Sequence, residues 1–173
     1  MVTDLTSCKS RIVFDSPLAA ADRYAVNDDL TCGRSSGGPL YVDGKLVFSG
    51  NINTNGGGFS SIRAPLQSAV LAGLNGLKLR VWPDTRVYQA TLRADLSYPG
   101  MSVAFRGEID APEEGMWAAS KILFTDLVPT VFGRPVDGAI FHPEKAKSIG
   151  IIISDGKDGP FELGTASIHA CVY

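Results

Sequence analysis

The stretch from Leu77 to Asp95, LKLRVWPDTRVYQATLRAD, alternates apolar and polar residues twice, with a break at Pro83-Asp84. Alternation at period two marks strands with one buried face, and a proline followed by an aspartate marks the turn between them. In the first strand Leu77, Leu79 and Val81 form the apolar set, which leaves Lys78, Arg80 and Trp82 on the other face. In the second, Tyr88, Ala90 and Leu92 go inward and Gln89, Thr91 and Arg93 go outward.

The same pattern runs in both directions from this stretch. Leu40 to Ile52 (LYVDGKLVFSGNI) reads as a hairpin about Asp43-Gly44, a strong two-residue turn signal. Phe59 to Ala64, Met101 to Ile109, Met116 to Leu127 and Phe161 to Val172 read as further strands, and the apolar run Ser148 to Ser154 as a buried one. Only Pro65 to Leu74 suits a helical turn or two. Strands every ~8–12 residues with turn signals between them predict an all-β sandwich or barrel. The 19 glycines and 10 prolines are spread throughout, and 173 residues suit one domain, so residues 1–173 are expected to form a single unit.

Composition excludes several classes. The net charge of −2 provides no bulk field for nucleic acid, and no apolar run approaches the ~20 residues of a membrane span. Cys8, Cys32 and Cys171 are odd in number and far apart, which argues against a disulfide framework and predicts reduced thiols in a cytoplasmic setting. The N-terminal MVTDLTSCKSRIVF has the character of neither a signal nor a transit peptide. No nucleotide loop or metal motif is present, and Asp28, Asp29 and Asp43 lack calcium-loop spacing, so neither metal nor cofactor is expected.

The outward residues are unusual for a solvated surface. Beyond those already named they include Arg63 with Ser61, Arg106 and Glu108 with Ala104, and Lys121 with Trp117 and Ala119. Exposed tryptophan offers a flat contact surface, and arginine offers a planar fork of donors for carboxylate, phosphate or sugar oxygens. If these strands are neighbours, Arg63, Arg80, Trp82, Gln89, Arg93, Arg106, Trp117 and Lys121 make one ligand-binding band. Glu108, with Asp29 second, is its candidate acid or base.

Three stretches in order resemble one family: Asn55 to Arg63 (NGGGFSSIR), Trp117 to Gly133 (WAASKILFTDLVPTVFG) and Ile149 to Leu163 (IGIIISDGKDGPFEL). Together they resemble the complex I intermediate-associated protein family across about residues 22–170. The resemblance implies a galactose-binding-like jelly-roll β-sandwich and, for the best-known members, a chaperone role in assembling respiratory complex I. This chain keeps Asn27, Asp28, Gly33 and Ser35 of the family's loop but replaces its methionine-glycine centre. With no transit peptide visible, that argues against service in mitochondrial assembly. The expectation is a sandwich that binds a small molecule or a protein partner. The alternatives are a cofactor-independent isomerase, dehydratase or lyase-type cyclase using the Arg/Trp/Glu cleft, and carbohydrate binding through the tryptophans.

Overall fold

The computed structural model describes residues 7–12, 24–27, 33–97 and 102–173, so Asp28, Asp29 and Cys32 lie outside the described residues. The strands are β1 (Ser7–Ile12), β2 (Tyr24–Asn27), β3 (Ser36–Val42), β4 (Lys45–Ile52), β5 (Ser60–Pro65), β6 (Gly76–Trp82) and β7 (Tyr88–Ser97). They continue with β8 (Ser102–Glu108), β9 (Ala118–Leu123), β10 (Val128–Val131), β11 (Arg134–Pro135), β12 (Ala146–Ile153) and β13 (Gly159–Val172). One antiparallel sheet has the order β3-β4-β13-β6-β9, with β1 also paired to β13; the other has the order β11-β10-β8-β7-β12-β5-β2. The two pack face to face as the expected jelly-roll sandwich. Among the described residues no helix is long and apolar enough to cross a membrane.

Period-two patterning decides what faces inward. Leu77, Leu79 and Val81 of β6 and Leu46, Phe48 and Leu163 of β4 and β13 are fully buried against Leu92, Phe105, Ile151 and Ile153 of the opposite sheet. The Asp43-Gly44 hairpin forms as expected, with both residues in the left-handed region at φ +48° and +75°. Residues 66–75 form turns rather than a helix, because Ala69 and Gly73 adopt φ +58° and +73° and interrupt any helical run. The expected strand from Met116 to Leu127 ends at Leu123 and continues as a 3-10 turn, Phe124–Asp126.

The apolar run in β12 has a specific cause. Ile149, Ile151 and Ile153 face the core, but Ile152 points to the other side and is still only 5% exposed. The strand lies between β7 and β5, in the interior of its sheet.

Cys8 and Cys171 are joined by a disulfide, which corrects the expectation of reduced thiols. Their 163-residue separation hides the pairing from any spacing rule, but β1 lies antiparallel on β13 with Cys8 directly opposite Cys171. Persistent disulfides belong to oxidising compartments, so the thiol argument for a cytoplasmic setting fails for this pair.

A second tie fixes the β12–β13 loop. Arg86 Nε donates to Asp155 Oδ2 at 2.7 Å and Nη2 to Asp155 Oδ1 at 2.8 Å, while Nη1 and Nη2 also reach the carbonyls of Gly159, Pro160 and Lys157. The two side chains are only 8% and 4% exposed. Asp84 extends the network: its Oδ1 accepts from Arg86 N, and its Oδ2 from Tyr88 Oη and Glu162 N. Above it, Phe48, Tyr88 and Phe161 form edge-to-face pairs that join the two sheets.

Candidate functional site

Strand register shows which outward residues meet. Arg63 of β5 lies opposite Gly150 of β12, Gly150 opposite Thr91 of β7, Thr91 opposite Arg106 of β8, and Arg106 opposite Val128 of β10. The rows on either side are Ser61, Ile152, Gln89 and Glu108, and Pro65, Ser148, Arg93, Ala104 and Thr130. All belong to the outer face of the seven-stranded sheet. Arg80, Trp82 and Lys121 stand on the outer face of the six-stranded sheet, and Trp117 precedes β9 there.

The structure therefore divides the expected band between two opposite surfaces. The in-or-out assignments of the residues within β5 to β9 agree with the register, yet alternation carries no information about which sheet a strand joins. Arg63, Gln89, Arg93, Arg106 and Glu108 come together on one face; Arg80, Trp82, Trp117 and Lys121 come together on the other. Arg63 and Glu108 consequently share no pocket with Trp82 and Trp117.

The arginine face is floored by small residues. Ser61, Thr91, Ala104, Thr130 and Gly150 are all buried on it. Gly150 is a requirement of close approach: a Cβ there would overlap the Ile62 carbonyl oxygen and lie 2.8 Å from Thr91 Oγ1 and 3.2 Å from Arg63 Cγ. The Arg63 stem thus lies beside the glycine. The sequence signal for this was a glycine inside an apolar strand, which marks a close contact.

Arg106 is the most constrained cation of the group. Its Nη1 donates to Gln89 Oε1 at 3.4 Å and to Ser154 Oγ at 3.3 Å, while its Nε is buried with no hydrogen-bond partner. On its other side is the β10–β11 turn, where a Cβ on Gly133 would lie 3.7 Å from Arg106 Nη2. Burial, and then the positive charge of Arg63, hold the Arg106 guanidinium below its ordinary pKa. Among the described residues no carboxylate lies within 4.0 Å of Arg63 or Arg106. Glu108 stands exposed at the rim, opposite Gln89. Arg93 Nη1 donates to Ser102 Oγ at 3.3 Å.

The other surface carries an aromatic pair. Trp82 and Trp117 meet edge to face at 5.4 Å, and Trp82 sits over Gly164, its register partner. The Arg80 guanidinium lies 5.3 Å and Lys45 Nζ 5.6 Å from the Trp117 ring centroid, so cations already occupy positions over that ring. Lys121 Nζ lies 4.0 Å from the ring of Tyr173. Away from both surfaces, Phe105, Phe124, Leu74, Ile140 and Phe141 help line an apolar hollow of about 390 Å³ that contains none of the expected site residues.

The family model described as Complex I intermediate-associated protein 30 (CIA30) matches residues 12–165. No curated protein matches the chain. Among solved structures, the chain is similar to the family 11 carbohydrate-binding module of cellulosomal cellulase Lic26A-Cel5E of Clostridium thermocellum, with TM-score 0.61 and 12% identity over 86% of this chain and 85% of that one. It is similar also to the family 11 module of Clostridium thermocellum in complex with a β-1,3-1,4-mixed-linked tetrasaccharide, with TM-score 0.58 and 13% identity over 86% of each chain. At these identities the likeness concerns the fold.

Proposed function

The chain belongs to the complex I intermediate-associated protein 30 family, and from that sandwich and its arginine face we propose that it is a binding module for anionic ligands. The observation that carries this reading is the Arg63–Arg106 pair on one sheet face: the Arg106 guanidinium is held below its ordinary pKa by burial and then by the charge of Arg63, and neither group faces a carboxylate among the described residues. A half-buried cation beside a like charge is costly, and an oxyanion on the face relieves the repulsion.

Two further observations support it. The three stretches that carry the family resemblance supply Arg63, Gly133 and Gly150, and all three lie on this face or against it. One of the similar sandwiches is in complex with a tetrasaccharide, so a polyhydroxylated ligand suits the architecture, and the arginines here add a preference for acid groups. Carboxylate- or phosphate-bearing small molecules and acidic saccharides are the expected class.

Isothermal titration with phosphate, citrate and glucuronate tests this. The wild-type chain is expected to bind at least one of them, more weakly as ionic strength rises. Arg106→Gln should lose roughly ten- to a hundredfold in affinity, the equivalent of a charge-assisted hydrogen bond of about 1.5–3 kcal/mol. Arg80→Gln, on the opposite sheet, should lose nothing. Equal losses in the two variants, or no binding of any of these anions, would overturn the assignment.

A further inference from the structure

The fold contains the same two-residue turn twice, and the two copies carry different residues. Asp43-Gly44 joins β3 to β4 with φ +48° and +75°; Phe132-Gly133 joins β10 to β11 with φ +48° and +76°. Positive φ at both central residues is the pattern of a type I′ turn, which favours Asn, Asp or Gly at the first position and Gly at the second. Asp43 meets that preference. Phe132 departs from it, since a bulky side chain in the left-handed region is strained.

Phe132 is also 83% exposed, more than any other large hydrophobic residue among those described. Local backbone preference and solvation both disfavour phenylalanine here, and no packing of the ring compensates. The turn is nevertheless held firmly. Val131 is buried in the core, Thr130 Oγ1 donates to the Ala104 carbonyl at 3.0 Å, and Val136 N donates to the Pro129 carbonyl at 3.0 Å. Its other central residue, Gly133, lies against the Arg106 guanidinium.

We infer that Phe132 is a ligand-contacting residue: it presents an apolar ring at the edge of the Arg63–Arg106 face, and the preferred ligand carries a flat ring next to its oxyanion. The inference rests on the anion-binding reading above and narrows its ligand class. An exposed aromatic on a rigid turn provides a stacking surface with little entropy to lose, while the guanidinium groups take the charged end. The ring can come from an aryl group or from the apolar face of a sugar acid, and these two sources are separable by probe.

The test measures affinity and melting temperature on the full chain, with inorganic phosphate, phenyl phosphate and glucuronate as probes. In the wild type, phenyl phosphate or glucuronate is expected to bind about tenfold tighter than phosphate, and the one that does so names the source of the ring. Phe132→Asn should abolish that margin and leave phosphate affinity unchanged. It should also raise the melting temperature by about 2–4 °C, because Asn-Gly suits the turn. Asp43→Phe, at the equivalent turn, should lower the melting temperature by a similar amount and leave binding untouched. A Phe132→Asn chain that keeps the margin, or that loses stability together with affinity, refutes the role. If phosphate binds but a ring adds nothing, this inference fails and the anion site stands. If no probe binds, both fall.

Discussion

Reduction of the Cys8–Cys171 disulfide, or its removal in a Cys8→Ala, Cys171→Ala chain, is expected to destabilise the fold by about 5 kcal/mol in the loop-entropy account, with 2–5 kcal/mol the usual observed cost. The closed loop contains nearly the whole chain, since the two cysteines are 163 residues apart, and long loops lose the most entropy when closed. For a chain of this length the melting temperature should fall on the order of 10 °C. Calorimetric melts with and without reductant, with thiol titration to confirm the redox state, measure it. An unchanged transition in a chain shown to be reduced would mean that β1 pairing alone holds the termini.

Arg86→Ala is expected to have an effect of similar size by a different route. Removing one partner of a buried, bidentate ion pair leaves Asp155 charged and uncompensated, at a cost of about 3–5 kcal/mol. The loss also frees the carbonyls of Lys157, Gly159 and Pro160 from their donors. Hydrogen bonding from Arg86 holds the Asp155 carboxyl below its ordinary pKa, and Asp155 in turn raises that of Arg86. A carboxyl whose folded pKa is depressed contributes stability that is present above its unfolded pKa and is lost as pH falls through the folded one. Wild-type stability should therefore decline below about pH 4, the ordinary aspartate value, and an Asp155→Asn chain should start lower and show a flatter acid limb. Chemical denaturation at pH 7 and at a series of acid pH values distinguishes the two; parallel curves for wild type and Asp155→Asn would remove the pair from the account.

Alternation made the faces legible and left the sheets illegible. LKLRVW placed Leu77, Leu79 and Val81 inward and Arg80 and Trp82 outward, as observed, because a strand's period of two depends on its own backbone. Which strand it pairs with depends on contacts remote in sequence, so Arg63 and Arg80 read alike while standing on opposite surfaces. The Asp43-Gly44 turn was visible because aspartate is a turn residue; the identical turn at Phe132-Gly133 was not, because phenylalanine gives no such signal. Arg86 was invisible for a similar reason. Its partner Asp155 is 69 residues away, and only the fold brings the fork to the carboxylate.

The position of β13 has a consequence for how the chain acquires its shape during synthesis. Its first half pairs with β4 and its second half with β1, while β6 runs along the other edge from Gly164 to Cys171, so the strand spanning residues 159–172 sits in the middle of the six-stranded sheet. On a ribosome, β1, β4 and β6 emerge long before the strand that joins them, and each must wait with an open edge. That sheet cannot close until the fourteen residues of β13 have left the exit tunnel. Ribosome-stalled chains ending before Gly159 should therefore remain sensitive to protease, and resistance should appear in one step once β13 is free rather than strand by strand.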